Sequence, residues 1–145
     1  MDAAEATPDP AEALLRKFQK ELSAGTVSLA LLGVLAAAPE PMYGYQIAKR
    51  LEQVGEGVLA GKQSALYPVL RNLEGSGLLG SFVEPSVSGP PRRYYRINDG
   101  GRAVLQRWAA AWRGTRDSVD AVLGPLATAP SSDLSDTTDL RGDSA

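Results

Sequence analysis

The 145-residue sequence contains no cysteine and no histidine. The absence of cysteine excludes a disulfide framework and is typical of a reducing compartment, so we expect a cytoplasmic protein. Without these two residue types there can be no Ser-His-Asp triad, no Cys-His pair and no zinc site built from those ligands. The carboxylates show no paired spacing, and no phosphate-loop motif is present. We therefore expect no enzymatic activity, no bound metal and no cofactor.

Long apolar runs are also missing. The longest, residues 27–38, contains Ser28 and Gly33 and is followed by Pro39, so it falls short of the roughly 18 residues that a membrane helix needs. The N-terminus is acidic, whereas a signal peptide would begin with a basic region. The sequence therefore predicts no membrane association, and its length favours a single folded domain.

Charge is distributed unevenly along the chain, whose net charge is −2. Residues 14–124 hold 14 Lys and Arg against 9 Asp and Glu, so the acidic excess lies in the two ends. Those ends, residues 1–11 and 125–145, are rich in small, polar and acidic residues and are predicted to be disordered. The basic centre gives modest support for a nucleic-acid partner.

Apolar periodicity and helix-breaking residues predict four helices and two strands between the ends. The predicted order is helices at 12–38, 43–54 and 63–75, strands at 78–83 and 92–97, and a final helix at 100–123. The first helix could be interrupted near Gly25, and Asn98 is expected to cap the last one. Residues 84–91, which include Gly89-Pro90-Pro91, are expected to form the hairpin tip.

This order is that of a winged helix-turn-helix, in which the third helix enters the major groove and the hairpin is the wing. We expect a mainly α fold with a β-hairpin wing: a winged helix-turn-helix domain over residues 12–98, followed by a dimerisation helix within 99–124. On the third helix, the side chains expected to face the core are Leu66, Val69, Leu70 and Leu73. Those expected on the opposite face are Gln63, Tyr67, Arg71 and Glu74.

The final helix carries a heptad seam. Its members, spaced 3, 4, 3, 4 and 3 residues apart, are Leu105, Trp108, Trp112, Thr115, Val119 and Val122. Such spacing is typical of a helix that packs against another helix. The helix is longer than a small winged domain needs, so we predict a homodimer with Leu105, Trp108, Trp112, Val119 and Val122 in the interface.

Three segments carry a resemblance to a known family. They are Tyr43-Gly44-Tyr45, then Leu66-Tyr67-Pro68-Val69-Leu70 followed by Leu73-Glu74, and Pro91-Arg92-Arg93-Tyr94-Tyr95-Arg96. With them, the chain resembles the PadR family of bacterial transcriptional regulators, in the small form with a single C-terminal dimerisation helix. The resemblance implies a homodimeric regulator of double-stranded DNA with an inverted-repeat operator, most simply a repressor released by a small ligand.

The resemblance also implies roles for individual residues. Lys62, Gln63 and Ser64 would lie near base edges, Tyr67 and Arg71 near the DNA backbone, and Arg92 and Arg93 near phosphates or the minor groove. The same residues could instead form an ordinary solvated helix face and a solvated edge strand. The alternative function is a winged-helix module that binds proteins rather than DNA.

Trp108 and Trp112 have two interpretations. In some small members of the family, tryptophans of the terminal helix stack on planar, often cationic, aromatic ligands between subunits. The resemblance therefore implies a ligand site with Trp108, Trp112 and Phe18. The alternative is that both tryptophans only fill the dimer core.

Overall fold

The computed structural model describes residues 9–54 and 63–127. The elements are α1 (Pro10–Ala37), β1 (Met42–Tyr43), α2 (Gly44–Gln53), α3 (Gln63–Gly75), β2 (Leu79–Ser86), β3 (Gly89–Ile97) and α4 (Asp99–Leu123), with a 3-10 turn at Gly124–Ala127. The predicted mainly α fold with a β-hairpin wing is confirmed. The described residues up to Ala109 form one compact unit and those from Ala110 form a second, so α4 contributes to both.

The first helix begins earlier than predicted and is continuous. Asp9 caps α1 by accepting a hydrogen bond from the Ala11 amide at 3.3 Å, and the helix runs through Gly25 without interruption. Its second half is buried at Leu31, Leu32 and Leu35. By length and hydropathy α1 could span a membrane, but a core helix meets the same requirements. Only the second half of α1 lies in the domain core, whereas Leu14, Phe18 and Leu22 of its first half are exposed.

The helix-turn-helix packs on this half of α1. The buried side chains of α2 and α3 are Ile47, Leu51, Leu66, Leu70 and Leu73, with Val69 half-buried beside them. The apolar periodicity of residues 43–54 also predicts an inward Val54, but this is wrong, since its side chain is 47% exposed. The reason is that α2 ends at Gln53 and residue 54 is extended (φ −98°, ψ 130°), so its side chain leaves the helical stripe. The sequence predicts that Gly55 and Gly57 end this helix, but both lie outside the described residues.

The sheet has a third strand that the sequence did not predict. Met42 and Tyr43 pair antiparallel with Tyr95 and Tyr94, which gives the strand order β1-β3-β2. The second helix therefore begins at Gly44 rather than at Tyr43. A two-residue strand has no periodicity of its own, so only its partner in β3 reveals it.

The wing hairpin is longer than predicted, and its tip is Val87-Ser88 rather than residues 84–91. The ladder is irregular between Glu84 and Ser86, which pair with Arg92 and Gly89. One proline on β2 therefore opposes the two prolines of β3, as in a β-bulge. Proline lacks an amide donor and is tolerated where ladder pairing is interrupted, which is why these prolines do not end the strands.

The last helix starts as predicted. Asn98 caps α4, because its Oδ1 accepts a hydrogen bond from the Gly101 amide at 2.8 Å. Its Nδ2 also donates to the Gly77 carbonyl at 3.0 Å, which ties the cap to the turn after α3. The helix ends at Leu123, and Gly124 follows with a left-handed φ of 54°. The tails predicted to be disordered are residues 1–11 and 125–145. Pro10 and Ala11 are instead helical, as the start of α1, and residues 125–127 lie in the 3-10 turn, whereas residues 1–8 and 128–145 lie outside the described residues.

Candidate nucleic-acid interface

The polar side of α3 holds several of the residues assigned to DNA from the sequence. Ser64 and Arg71 are exposed, and Tyr67 is half-buried. The opposite side of the helix is buried in the core, so α3 is held with its polar side outward. Lys62 lies outside the described residues. Gln63 begins α3, but its side chain is also outside them.

Tyr67 packs against the first residue of α2. A Cβ atom on Gly44 would lie 2.5 Å from the Tyr67 hydroxyl oxygen and 2.7 Å from its ring, so any larger residue at this position would force the Tyr67 ring to move. The start of α2 is fixed as well, because the Tyr43 amide donates to Gln46 Oε1 at 3.1 Å. This close contact at Gly44 joins the two helices of the helix-turn-helix at Tyr67.

Adjacent arginines of the wing point to opposite faces of the sheet, since side chains alternate along a strand. Arg92 is on the outer face, where its guanidinium carbon lies 4.4 Å from the centre of the Tyr43 ring. Tyr94 on the same face contacts Tyr43 edge-on, with centroids 5.3 Å apart, and stacks on Phe82 at 5.5 Å. This aromatic row crosses all three strands and ties the wing to the start of α2.

Arg93 lies on the inner face of the wing and is linked to α3. Its Nη1 donates to Ser81 Oγ at 2.9 Å, and Ser81 Oγ donates to Glu74 Oε2 at 2.7 Å. Sequence reasoning assigned no role to Ser81 and placed Glu74 only on the polar face of α3. The contact depends on strand register, for which the sequence carries no motif.

An open cavity of about 450 Å³ lies between the helix-turn-helix and the wing. Its lining residues come from the start of α2, from α3 and from the wing: Tyr43, Gly44, Tyr45, Tyr67, Ser86, Ser88, Gly89, Pro90, Pro91, Arg92 and Arg93. The two wing arginines and Tyr67 therefore share one concave surface. Arg71 is exposed on the same helix as Tyr67, four residues further along.

Tyr95 lies beneath this surface, and burial raises the pKa of its phenol. The positive charges of Arg93 and Arg71 act in the opposite direction and lower that pKa, whereas Glu74 raises it. Arg93 belongs to the wing, and Glu74 and Arg71 belong to α3. Side chains of both elements therefore lie close enough to the Tyr95 phenol to influence its pKa. Side chains alternate along a strand, so one tyrosine of the Tyr94-Tyr95 pair is expected in the core, and the buried one is Tyr95.

The predicted seam on α4 is largely accessible in the single chain. Trp108 and Trp112 are 37% and 38% exposed, and Val122 is 84% exposed. Leu105 is the exception, because it is half-buried against the domain core. Phe18 of α1, predicted to join the tryptophans in a ligand site, is 56% exposed.

Comparison with known proteins identifies the family. The family described as "Transcriptional regulator PadR-like family" matches residues 31–107, which run from the core half of α1 into α4. The chain belongs to the PadR-like family of transcriptional regulators. The matched segment contains α3 and the whole wing, so the family assignment covers the surface formed by Tyr67, Arg92 and Arg93.

Solved structures of the family share the fold. A PadR family regulator from Eggerthella lenta is 34% identical, with a TM-score of 0.65 over 79% of this chain and 96% of that one. A PadR family regulator from Clostridium difficile is 26% identical, with a TM-score of 0.58 over 69% of this chain and 100% of that one. PadR of Bacillus subtilis, solved in complex with operator DNA, is 23% identical, with a TM-score of 0.52 over 58% of this chain and 47% of that one. At that identity the last similarity concerns the fold alone.

Proposed function

We propose that this PadR-like regulator binds double-stranded DNA, with α3 in the major groove and the β2–β3 wing against the backbone. The observation that carries the proposal is the surface on which Tyr67 of α3 and the arginines Arg92 and Arg93 of the wing line one cavity. A duplex places phosphates beside the groove that a recognition helix occupies. Cations and a phenol on the rim of that helix are therefore suited to fix its register.

Positions along α3 suggest how the contacts divide. Gln63 and Ser64 begin α3, and Lys62 precedes them in the sequence. Recognition helices approach base edges with their N-terminal residues, so these three residues are proposed to choose the sequence. Tyr67 and Arg71 follow along the helix and are proposed to contact the backbone. Support for this orientation comes from the burial of the opposite side of α3.

The same proposal includes a homodimer formed through α4. The exposed apolar members of the seam would be covered by a second copy, and burial of each large one would contribute on the order of 1.5–3 kcal/mol. Two recognition helices related by a two-fold axis meet successive major grooves, roughly 34 Å apart, so the operator is expected to be an inverted repeat. The distantly similar Bacillus subtilis PadR, solved with operator DNA, is consistent with DNA as the partner.

A mobility-shift assay tests the DNA-binding part. The probe is the DNA upstream of the protein's own gene, and the control is a fragment of the same length and composition in shuffled order. The proposal predicts a shift of the first probe at protein concentrations that leave the second one free. Equal affinity for both fragments, or no shift of either, would favour the alternative of a winged-helix module that binds proteins.

We further propose that the protein acts in the cytoplasm as a repressor that a planar aromatic ligand releases. Trp108 and Trp112 lie about one turn apart on α4 and are both more than one third exposed, so their rings are available to stack on such a ligand. Ligand and DNA would then share one conformational equilibrium, and each must weaken the binding of the other by the same factor.

Titration of tryptophan fluorescence with flat cationic dyes tests the ligand site. Stacking should quench the emission of the wild-type protein, Trp112→Ala should weaken dye binding, and saturating operator should weaken it as well. Dye binding that does not change with Trp112→Ala would leave the tryptophans as packing residues only.

A further inference from the structure

The wing and the recognition helix are joined by a hydrogen-bonded chain of three side chains. We propose that Glu74, acting through Ser81, is a positioning residue that orients the guanidinium of Arg93 for its contact with the DNA backbone. The three residues come from α3, β2 and β3, so the chain crosses every element of the proposed interface. This inference rests on the proposed DNA-binding function.

The direction of the chain is fixed by its chemistry. Ser81 has one hydroxyl proton, which it donates to Glu74 Oε2 at 2.7 Å. The Ser81 oxygen can then accept from Arg93 Nη1, 2.9 Å away. Both bonds have a charged group at one end, and such bonds are shorter and stronger than neutral ones. A serine between a carboxylate and a guanidinium therefore has one preferred orientation, and so does the arginine.

Strand register places Ser81 within hydrogen-bond distance of Arg93. Ser81 pairs with Tyr95 and Val83 pairs with Arg93, so Ser81 and Arg93 are diagonal neighbours on the inner face of the hairpin. That face is directed towards α3, as the buried position of Tyr95 requires. Arg92, one residue away, is on the opposite face against Tyr43 and cannot take part.

Orientation matters because a long exposed side chain loses rotamer freedom when it binds. An arginine that is already held in place loses less, so it binds its phosphate more tightly for the same contact. Arg93 is exposed and lines the cavity between wing and recognition helix, where a phosphate of the bound duplex would pass. Loss of the chain should therefore weaken DNA binding by about fivefold to tenfold, which is the cost of immobilising one rotamer-rich side chain.

Substitution of Glu74 can separate the effect of its negative charge on DNA affinity from the effect of its hydrogen bond with Ser81. A carboxylate on the face of α3 repels DNA, so if only its charge mattered, its removal would tighten binding. Glu74→Gln and Glu74→Ala remove the same charge, but only glutamine keeps an oxygen that can accept from Ser81. The proposal predicts that Glu74→Ala binds operator about fivefold to tenfold more weakly than Glu74→Gln. Ser81→Ala should likewise bind more weakly than Ser81→Thr, which retains the hydroxyl.

The decisive experiment compares DNA binding by Glu74→Ala and Glu74→Gln again, in proteins that also carry Arg93→Gln. If Glu74 acts only by orienting Arg93, Glu74→Ala and Glu74→Gln should then bind DNA equally, because no guanidinium remains to be oriented. A purely structural role would preserve the difference between them. Thermal unfolding of each variant shows that the compared proteins are folded, and nitrogen NMR of the Arg93 side chain in the free protein should show restricted rotation that Ser81→Ala releases.

The outcomes separate this inference from the proposed function. Equal affinities of Glu74→Ala and Glu74→Gln in an otherwise wild-type protein that binds operator would overturn the positioning role alone. A wild-type protein that binds no DNA would overturn both, even if NMR shows Arg93 to be restrained.

Discussion

Single residues decide how closely the elements of this domain approach. A Cβ atom on Gly101 would overlap the backbone carbonyl oxygen of Leu78 and lie 2.7 Å from a side-chain carbon of Ile97. The absence of a side chain at the start of α4 therefore lets the helix lie directly against the turn that follows α3. Gly44 serves the same purpose against Tyr67, except that there the obstacle is a side chain that could rotate.

Gly101→Ala is expected to destabilise the fold by about 1–3 kcal/mol, because a backbone carbonyl cannot move aside as a flexible side chain can. The matched control is Gly114→Ala on the same helix, where nothing lies within 4 Å of the added atom. That change should leave stability unaltered or raise it by up to about 1 kcal/mol, since alanine favours helix. Urea unfolding of both variants measures the difference. Equal stabilities would contradict the close approach at Gly101.

Tyr95 should make stability fall at alkaline pH. Burial raises the pKa of its phenol above the ordinary value of 10.0, so the folded state holds the proton more tightly than the unfolded chain does. The corresponding stability is fully present below pH 10 and is lost as pH rises through the folded-state pKa. Tyr95→Phe should therefore lose less stability between pH 8 and pH 11 than the wild type. Tyr45→Phe is the control. Because Tyr45 is exposed, this variant should lose as much stability over that pH range as the wild type does.

At the level of elements, α4 has two different parts. Near its start Leu105 packs against the domain core, whereas further along Val119 and Val122 are exposed at 49% and 84%. Exposed apolar residues in heptad spacing are the feature on which the proposed dimer depends. Substitution at the exposed positions should thus alter assembly without disturbing the fold of the single chain.

Val119→Asp and Val122→Asp are each expected to shift the protein from dimer to monomer, because dimerisation would bury an unpaired carboxylate. Ala121→Asp is the matched control, since helical periodicity places residue 121 on the side away from the seam. Sedimentation velocity at several concentrations distinguishes the species. A dimer that persists unchanged in both seam variants would show that subunits meet elsewhere.

The elements also show what could be predicted from the sequence. Strong apolar periodicity located all four helices, and α3 was predicted at the bounds that the structure has. The strand β1 and the prolines inside the wing were missed, since a two-residue strand and a bulge are defined by their partners rather than by their own residues. The chain from Glu74 through Ser81 to Arg93 was missed for the same reason, because hairpin register decides which side chains meet. Apolar periodicity shows which face of a helix or strand is buried, but it does not show which residues of other elements contact that face.

At the level of the whole molecule, the basic centre of the chain and its acidic ends give a net charge of −2. The net charge of the whole chain therefore gives no indication that its central part is basic enough to favour DNA. What supports DNA binding is local: the family match, the exposed side of α3 and the wing arginines beside Tyr67. If these cations meet phosphates, as proposed, the salt dependence of binding reports those contacts directly.

The most direct measurement is therefore the affinity for an inverted-repeat operator over a series of salt concentrations, for the wild type, Arg71→Ala and Arg92→Ala. The affinity of the wild type is expected to fall steeply as the salt concentration rises. Each substitution should weaken binding to every sequence and flatten the slope of log K against log salt by about one. Ser64→Ala should instead relax the choice of sequence and leave the slope intact. Unchanged affinity and slope in both arginine variants would contradict the placement of α3 and the wing on DNA.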